Sequence, residues 1–152
     1  MRQQKIVLTK RLVIPCALML LLIHAQAVCN ITQNTGLVFN CPISNTNNCR
    51  ATANLGLYCN PAANVNISLT QGNSNQYLTR QLKDLTHGNT ANYNIFVTSA
   101  NNQIFGNGAQ GSGPIVAQCQ GNCNYTIYGS ILSNTIQAGS YTDTPLLIIS
   151  YQ

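Results

Sequence analysis

The amino-acid sequence predicts an all-β protein folded as a β-sandwich. In several short segments apolar residues alternate with other residues, and this period of two is typical of strands that bury one face. Clusters of Gly, Asn and Pro separate these segments and provide the residues that chain reversals need. The segments show no helical periodicity. Short strands at this spacing favour a sandwich over other all-β folds.

The first 27 residues have the composition of a cleavable signal peptide. They begin with four basic residues, which are Arg2, Lys5, Lys10 and Arg11. An apolar run over residues 12–23 follows, and Ala25 to Ala27 then read Ala-Gln-Ala, the small-residue pattern of a cleavage site. A membrane anchor is the alternative, but the run is shorter than the roughly 18 apolar residues that a spanning helix needs. We therefore expect a signal peptide over 1–27, an exported domain over 28–152, and no membrane span after cleavage.

Charge is scarce in the exported domain. The whole chain has seven basic and two acidic residues and a net charge of +5. The exported domain keeps three of the basic residues and both acidic ones, which leaves a net charge of +1. A nucleic acid or an anionic membrane surface binds through clustered basic residues. We therefore expect neither as a partner.

The same scarcity argues against an enzyme. General acid–base catalysis needs a positioned proton carrier, and the exported domain offers only His87, Asp84 and Asp143. A serine nucleophile would also need a strand-to-helix elbow motif, and none frames a serine here. We expect no catalytic residue and no cofactor, and we predict that His87 caps an exposed turn.

Five strands can be read directly from the alternation. They are Leu55–Cys59, Val65–Leu69, Tyr93–Val97, Asn124–Leu132 and Pro145–Tyr151. Six main strands are expected in all, and the chain ends at Gln152 with the sixth. Asn60-Pro61 separates the first two strands and is interpreted as a turn.

Six cysteines in the exported domain indicate a disulfide framework, because an even number in an exported chain is typical of one. Fifteen connectivities are possible in principle. Cys119 and Cys123 flank a Gln-Gly-Asn segment that we interpret as a tight turn stapled at its ends. For the other four cysteines we favour Cys29 with Cys59 and Cys41 with Cys49, and the connectivity stays open at this point.

Two motifs that resemble ligand sites are interpreted as structural. Cys119 and Cys123 have no second cysteine or histidine pair at zinc-ligand spacing, so we expect no metal. The glycine-rich run from Gly106 to Gly113 lacks the Gly-Lys-Ser/Thr ending of a phosphate-binding loop and opens no helix. We interpret it as a flexible loop.

The order of several motifs resembles the spore coat protein U family, which includes the pilins of archaic chaperone-usher pili. The clearest motif is Gly139–Thr144, read Gly-Ser-Tyr-Thr-Asp-Thr, ahead of a last strand that ends at Tyr151. Cys29 and Cys59 match the first and second cysteines that are usual in the family. The other matching segments are Leu69–Ser74, Arg80, Asn92–Phe96, Ile104–Gly108 and Tyr125–Gly129.

The resemblance implies an immunoglobulin-like β-sandwich that is incomplete, with six main strands and a seventh supplied by a partner. The partners it implies are a periplasmic chaperone, an usher and neighbouring pilin subunits that donate a strand. It also implies export through the periplasm to the cell surface or a pilus. An uncovered sheet edge and core would invite such strand addition.

The last strand is where we expect the groove for that donor strand. With a period of two, Leu147, Ile149 and Tyr151 face the interior beside the vacant position, and the intervening residues face outward. Pro145 has no N–H to give to a ladder, so the strand is expected to pair fully only after it.

Two functions remain open from the sequence. Val28 alone precedes Cys29 in the exported domain, so we expect a subunit that accepts a strand without donating one, such as a tip or accessory subunit involved in adhesion. The alternative is a secreted or periplasmic binding or coat protein that acts as a monomer outside any fibre.

Overall fold

The structure is a computed structural model that describes residues 26–41, 49–133 and 136–152. The predicted signal peptide up to residue 25 lies outside the described residues. The described part is all-β and forms a curled, open sheet in the manner of an incomplete sandwich, which confirms the predicted fold class.

Seven strands are present in the described residues. They are β1 (Val28–Asn34), β2 (Arg50–Leu69), β3 (Arg80–Asp84), β4 (Thr90–Phe96), β5 (Ile115–Ile131), β6 (Tyr141–Thr142) and β7 (Leu147–Tyr151). Two short 3-10 turns accompany them, at Gly72–Ser74 and Ala109–Gly111.

All strand pairs are antiparallel, in the order β1-β2-β5-β4-β3-β6, and β7 also pairs with β2. β2 and β5 are 20 and 17 residues long and pair over most of their length. The first half of β2 pairs with β1, and its second half pairs with β7 on the same side. These two long strands therefore form the spine from which the rest of the sheet curls.

The core follows from the period of two in β2. Alternate residues of this strand are buried: Ala53, Leu55, Leu57, Cys59, Ala63, Val65, Ile67 and Leu69. They pack against Tyr93 and Ile95 of β4, Phe105, and Ile127 of β5. Burial of each large aliphatic side chain stabilises the fold by about 1.5–3 kcal/mol. One face of β2 thus organises most of the core.

The predicted turn at Asn60-Pro61 is wrong, because β2 runs straight through it. The Asn60–Pro61 peptide bond is cis, and the pairing with β5 is interrupted between Cys59 and Ala63. Proline cannot donate to the ladder, so this stretch forms an irregularity inside the strand where a chain reversal was expected. The predicted strands Leu55–Cys59 and Val65–Leu69 are therefore two halves of one strand.

The predicted tight turn at Cys119 to Cys123 is also wrong, because a strand runs through it. Both cysteines lie within β5, which begins at Ile115 and not at residue 124. Gly121 has a φ of +66° and lies opposite Cys59, at the matching interruption in the ladder. A glycine adopts this left-handed conformation without a steric cost, so it accommodates the irregularity.

The described residues contain three disulfides, which join the cysteines in the combinations that the sequence analysis favours. Cys29 and Cys59 lie directly opposite each other on β1 and β2. Cys41 is joined to Cys49, and Cys119 to Cys123. The last of these bonds spans the irregularity in β5.

The glycine-rich loop is more ordered than predicted. Its ends are held by backbone hydrogen bonds, from Gly106 N–H to Gly113 O (3.0 Å) and from Gly113 N–H to Ile104 O (2.8 Å). Ser112 is buried inside it and donates to Ala109 O at 2.7 Å. The loop is a hydrogen-bonded turn, so the expectation of a flexible loop is wrong.

Candidate functional site

Two adjoining clefts open from solvent into the core, with volumes of about 390 and 490 Å³. They lie between two extended segments that we call the first wall (residues 35–41) and the second wall (residues 136–147). Leu37, Phe39, Leu82 and Asp143 line both clefts, which shows that the clefts are continuous with each other.

The floor of the smaller cleft is the core itself. Side chains from β2, β4, β5 and the segment around residue 105 reach it: Ala53, Leu69, Tyr93, Ile95, Phe105 and Ile127. Among the described residues, Asp143 is the one charged residue that lines the two clefts. The site is therefore an uncovered part of an apolar core, with no array of charged groups.

The first wall has the burial pattern of a strand without the hydrogen bonds of one. It is anchored by Thr35, whose N–H donates to Asn54 O at 3.0 Å and whose hydroxyl accepts from Asn54 N–H at 2.7 Å. Leu37 and Phe39 are half-buried, whereas Val38 between them is 70% exposed. The backbone of residues 36–41 makes no hydrogen bond to any other described residue. Its N–H and C=O groups are available to another strand.

Close packing fixes the inner side of the first wall. The rings of Phe39 and Tyr93 meet edge to face with 6.1 Å between centroids, a geometry that aromatic pairs prefer. Gly129 of β5 lets the wall approach, because a Cβ built there would lie 2.6 Å from Phe39 Cζ and 3.1 Å from Leu37 Cδ1. The absence of a side chain at residue 129 therefore sets where the wall can lie.

The second wall is held by the pairing of β6 with β3, by hydrogen bonds between Leu146 and Thr70, and by the carboxylate of Asp143. The carboxylate is the charged group of this set. It accepts the Tyr93 hydroxyl at 2.7 Å and the N–H groups of Asn73 and Thr144 at 2.8 Å each. Burial raises the pKa of the Tyr93 phenol, and the hydrogen bond to Asp143 raises it further. Tyr93 therefore stays a protonated donor, and it touches both walls.

The chain leaves the second wall through Pro145. β6 ends at Thr142 and β7 begins only at Leu147, so pairing resumes after the proline as predicted. β6 pairs with β3 alone, so its other edge carries no partner among the described strands. Among the described residues, one edge of β6 and the backbone of residues 36–41 therefore have no hydrogen-bonded strand partner.

The predicted groove residues separate in the structure. Leu147 lines the smaller cleft, and Ile149 packs partly buried against the core, paired with Ile67. Tyr151 is 42% exposed near the end of β7. Neither Ile149 nor Tyr151 lines these two clefts. The prediction missed Leu37 and Phe39, whose only signal in the sequence is a short alternation that ends at Cys41.

Of the three ionisable residues considered for catalysis, His87 and Asp84 contact each other, whereas Asp143 has other partners. His87 Nδ1 is 2.7 Å from Asp84 Oδ2 at the turn between β3 and β4, where Asp84 also accepts the Thr86 N–H at 3.0 Å. These contacts lower the pKa of Asp84, the hydrogen bond from Thr86 most strongly. Asp143 instead bonds Tyr93 at the clefts. The His87–Asp84 pair closes an exposed turn, which agrees with the role predicted for His87.

Among residues 26–41, 49–133 and 136–152 no group of three or more His, Cys, Asp or Glu residues could hold a metal ion. No helix in the same ranges is long and apolar enough to cross a bilayer.

Comparison with known proteins identifies the family. The sequence model of the Spore Coat Protein U domain matches residues 16–146. No curated protein matches the sequence. A similar fold occurs in the structure described as "CsuC-CsuE chaperone-tip adhesion subunit pre-assembly complex from archaic chaperone-usher Csu pili of Acinetobacter baumannii", with a TM-score of 0.57 and 22% identity.

That match covers 82% of this chain and 40% of the matched chain, so this protein spans less than half the length of its structural relative. At this identity the likeness concerns the fold. The family match, in contrast, extends over most of the sequence. The chain therefore belongs to the Spore Coat Protein U domain family.

Proposed function

We propose that this protein is a non-catalytic structural subunit of a chaperone-usher pilus, and that its two continuous clefts accept a strand from a partner. The observation that carries the proposal is the pair of walls, each with an unpaired edge, on either side of an uncovered core. A strand inserted between them would hydrogen-bond to both edges and cover the apolar floor.

The shape of the walls supports a strand over a compact ligand. Leu37 and Phe39 point inward at a spacing of two residues, which matches the side-chain period of an extended chain. A partner strand with the same period would place alternate apolar side chains in the clefts. In this proposal Leu147 contacts the incoming strand, Ile149 supports β7 from the core, and Tyr151 lies outside the contact.

The partners we propose are a periplasmic chaperone and an usher during export, and neighbouring pilin subunits at the cell surface. The structural relative is itself described as part of a complex between a chaperone and a tip adhesion subunit. We further propose a tip or accessory position for this chain, with a role in adhesion.

Strand capture can be tested with a synthetic peptide of alternating apolar and polar residues. The purified protein is expected to bind one peptide per chain and to unfold at a higher temperature when the peptide is present. Leu37→Asp should abolish binding, because it places an unpaired carboxylate against the apolar floor. Asn40→Asp is the control: it adds a carboxylate to an exposed residue of the same wall that lines neither cleft, so binding should persist.

Equal binding by both variants would contradict a strand site between the walls. If the folded wild-type protein captures neither the peptide nor a co-expressed chaperone, the second candidate gains support. That candidate is a secreted or periplasmic binding or coat protein that acts as a monomer, a role for which the family's description as a coat protein domain also argues.

A further inference from the structure

We propose that the Cys41–Cys49 disulfide is a clamp that positions the first wall and thereby strengthens strand capture. This inference rests on the proposed function, since it concerns the same clefts. It assigns to one of the three disulfides a role in binding that the other two do not have.

Leu37 and Phe39 pack their side chains on the sheet, but the first wall is joined to other described residues by backbone hydrogen bonds or a disulfide only at its two ends. At one end, Thr35 exchanges hydrogen bonds with Asn54 of β2. At the other end, Cys41 is bonded to Cys49, with 5.4 Å between their Cα atoms. Between these ends no backbone hydrogen bond to a described residue restrains the wall. Side-chain packing at Leu37 and Phe39 therefore depends on how firmly the ends are held.

Cys49 is a firm anchor. Its side chain is buried, and its carbonyl oxygen accepts the Ile131 N–H at 3.0 Å. The next residue, Arg50, begins β2 and is paired with Ser130. The disulfide thus connects the end of the first wall to the β2–β5 spine.

Cys41 also lines the larger cleft directly. The cysteines of the other two disulfides line neither cleft. Cys29–Cys59 joins two strands that are already hydrogen-bonded, and Cys119–Cys123 joins two residues of β5. Only the Cys41–Cys49 bond restrains a segment that lacks a ladder of its own.

Restraint of the wall matters because binding is stronger when the bound conformation is already formed. A wall whose far end is fixed by the disulfide loses less conformational freedom on strand capture than one joined to Cys49 only through the chain of residues 42–48. Removal of the bond should therefore weaken capture even in a protein that remains folded.

The test compares two double variants in the full chain, Cys41→Ser/Cys49→Ser and Cys119→Ser/Cys123→Ser. The probe is the alternating peptide, and its Kd is measured by titration at a temperature where both variants are folded. We expect the first variant to bind about tenfold more weakly than wild type and the second to stay within about twofold. In the first variant the nuclear Overhauser contacts between the Phe39 and Tyr93 rings should also weaken.

A further double variant, Cys41→Ala/Cys49→Val, replaces both disulfide-bonded cysteines with apolar residues. It is used if the serine variant does not fold. A Kd equal to that of wild type in a folded variant without the Cys41–Cys49 bond would overturn the clamp. Equal weakening by both serine variants would overturn it as well. If the wild-type protein binds no peptide, the proposed function is wrong. In that case, Phe39–Tyr93 contacts that persist after removal of the Cys41–Cys49 bond would still overturn the clamp, because they show that the bond does not position the first wall.

Discussion

A single buried arginine ties four segments together beneath the clefts. Arg80 of β3 donates to Asn94 Oδ1 of β4 at 2.9 Å, to Phe105 O at 2.7 Å and to Thr70 O at 3.1 Å. Its guanidinium also lies 5.3 Å from the centroid of the Tyr77 ring. Burial lowers the pKa of Arg80, and neighbouring groups, Tyr93 first, oppose that shift. The planar guanidinium serves several acceptors at once, which a lysine could not do.

We expect Arg80→Met to lower the free energy of unfolding by about 2–4 kcal/mol. The variant removes a donor from the buried Phe105 O and the part-buried Thr70 O, and each unsatisfied buried group costs about 1–3 kcal/mol, whereas Asn94 Oδ1 keeps the Ile95 N–H at 2.9 Å. Relief of the guanidinium's own desolvation, including its unpartnered Nε, offsets part of that loss. Lys83→Met is the control, since Lys83 is exposed on the same strand. Urea unfolding curves that coincide for wild type and Arg80→Met would show that relief of the guanidinium's desolvation fully offsets the lost hydrogen bonds.

The turn after β3 should loosen in acid. The pKa of Asp84 is lowered, first by the hydrogen bond from Thr86 N–H and then by that from His87. A carboxyl whose folded-state pKa is depressed stabilises the fold above the unfolded value of about 3.9, and that stability is lost as the pH falls through the folded value. Asp84→Asn should therefore reduce the difference in unfolding temperature between pH 7 and pH 2. The same difference in wild type and variant would exclude Asp84 as a contributor.

At the scale of the elements, alternation located the strands but not their limits. The sequence correctly placed buried residues such as Leu57 and Ile67 in strands. The prediction divided β2 at Asn60-Pro61, because an Asn-Pro pair is as compatible with an irregularity inside a strand as with a turn. The prediction also placed the start of β5 too late in the chain, because the Gly121 segment resembles a chain reversal. Only the pairing of β2 with β5 distinguishes the two cases.

The first wall could not be predicted from its pattern. Leu37, Phe39 and Cys41 alternate over too few residues to stand out as a strand, even though Asn34-Thr35-Gly36 and Pro42 flank them. Their packing comes from tertiary structure, because Gly129 and Tyr93 lie far along the chain and meet them only in the fold. The last strand had the stronger pattern, so the groove was assigned to Leu147, Ile149 and Tyr151.

Gly129→Ala tests how the first wall is seated. The added Cβ would lie 2.6 Å from Phe39 Cζ and 3.1 Å from Leu37 Cδ1, so the wall must shift outward. We expect a loss of about 1–3 kcal/mol in unfolding free energy, together with weaker peptide capture. Gly36→Ala is the matched control on the wall itself, because a Cβ there has nothing within 4 Å. Equal stability of the two variants would mean that the wall is not packed against residue 129.

At the scale of the whole molecule, the protein combines few charged residues with an apolar core that is uncovered between the two walls. The sheet buries one face of β2 and β5 against β4 and Phe105, and leaves the region between the walls uncovered. An exposed apolar region of this kind is a liability for an isolated protein, since it attracts strands and other apolar surfaces. A partner strand would remove that liability and complete the sandwich in one step.

Capture of a neutral strand should therefore be driven by apolar burial and be nearly independent of salt. Asp143 is the one charged residue lining the two clefts, and its carboxylate already accepts three hydrogen bonds. Interactions between exposed charges are strongly screened at high ionic strength, whereas apolar burial is not weakened by that screening. We expect the Kd of an uncharged alternating peptide to change by less than about threefold between 50 and 500 mM sodium chloride, with a negative heat-capacity change on binding. An uncharged peptide with the same composition but scrambled alternation controls for non-specific apolar binding. A tenfold loss of affinity in high salt would show that charged groups outside the clefts carry the binding.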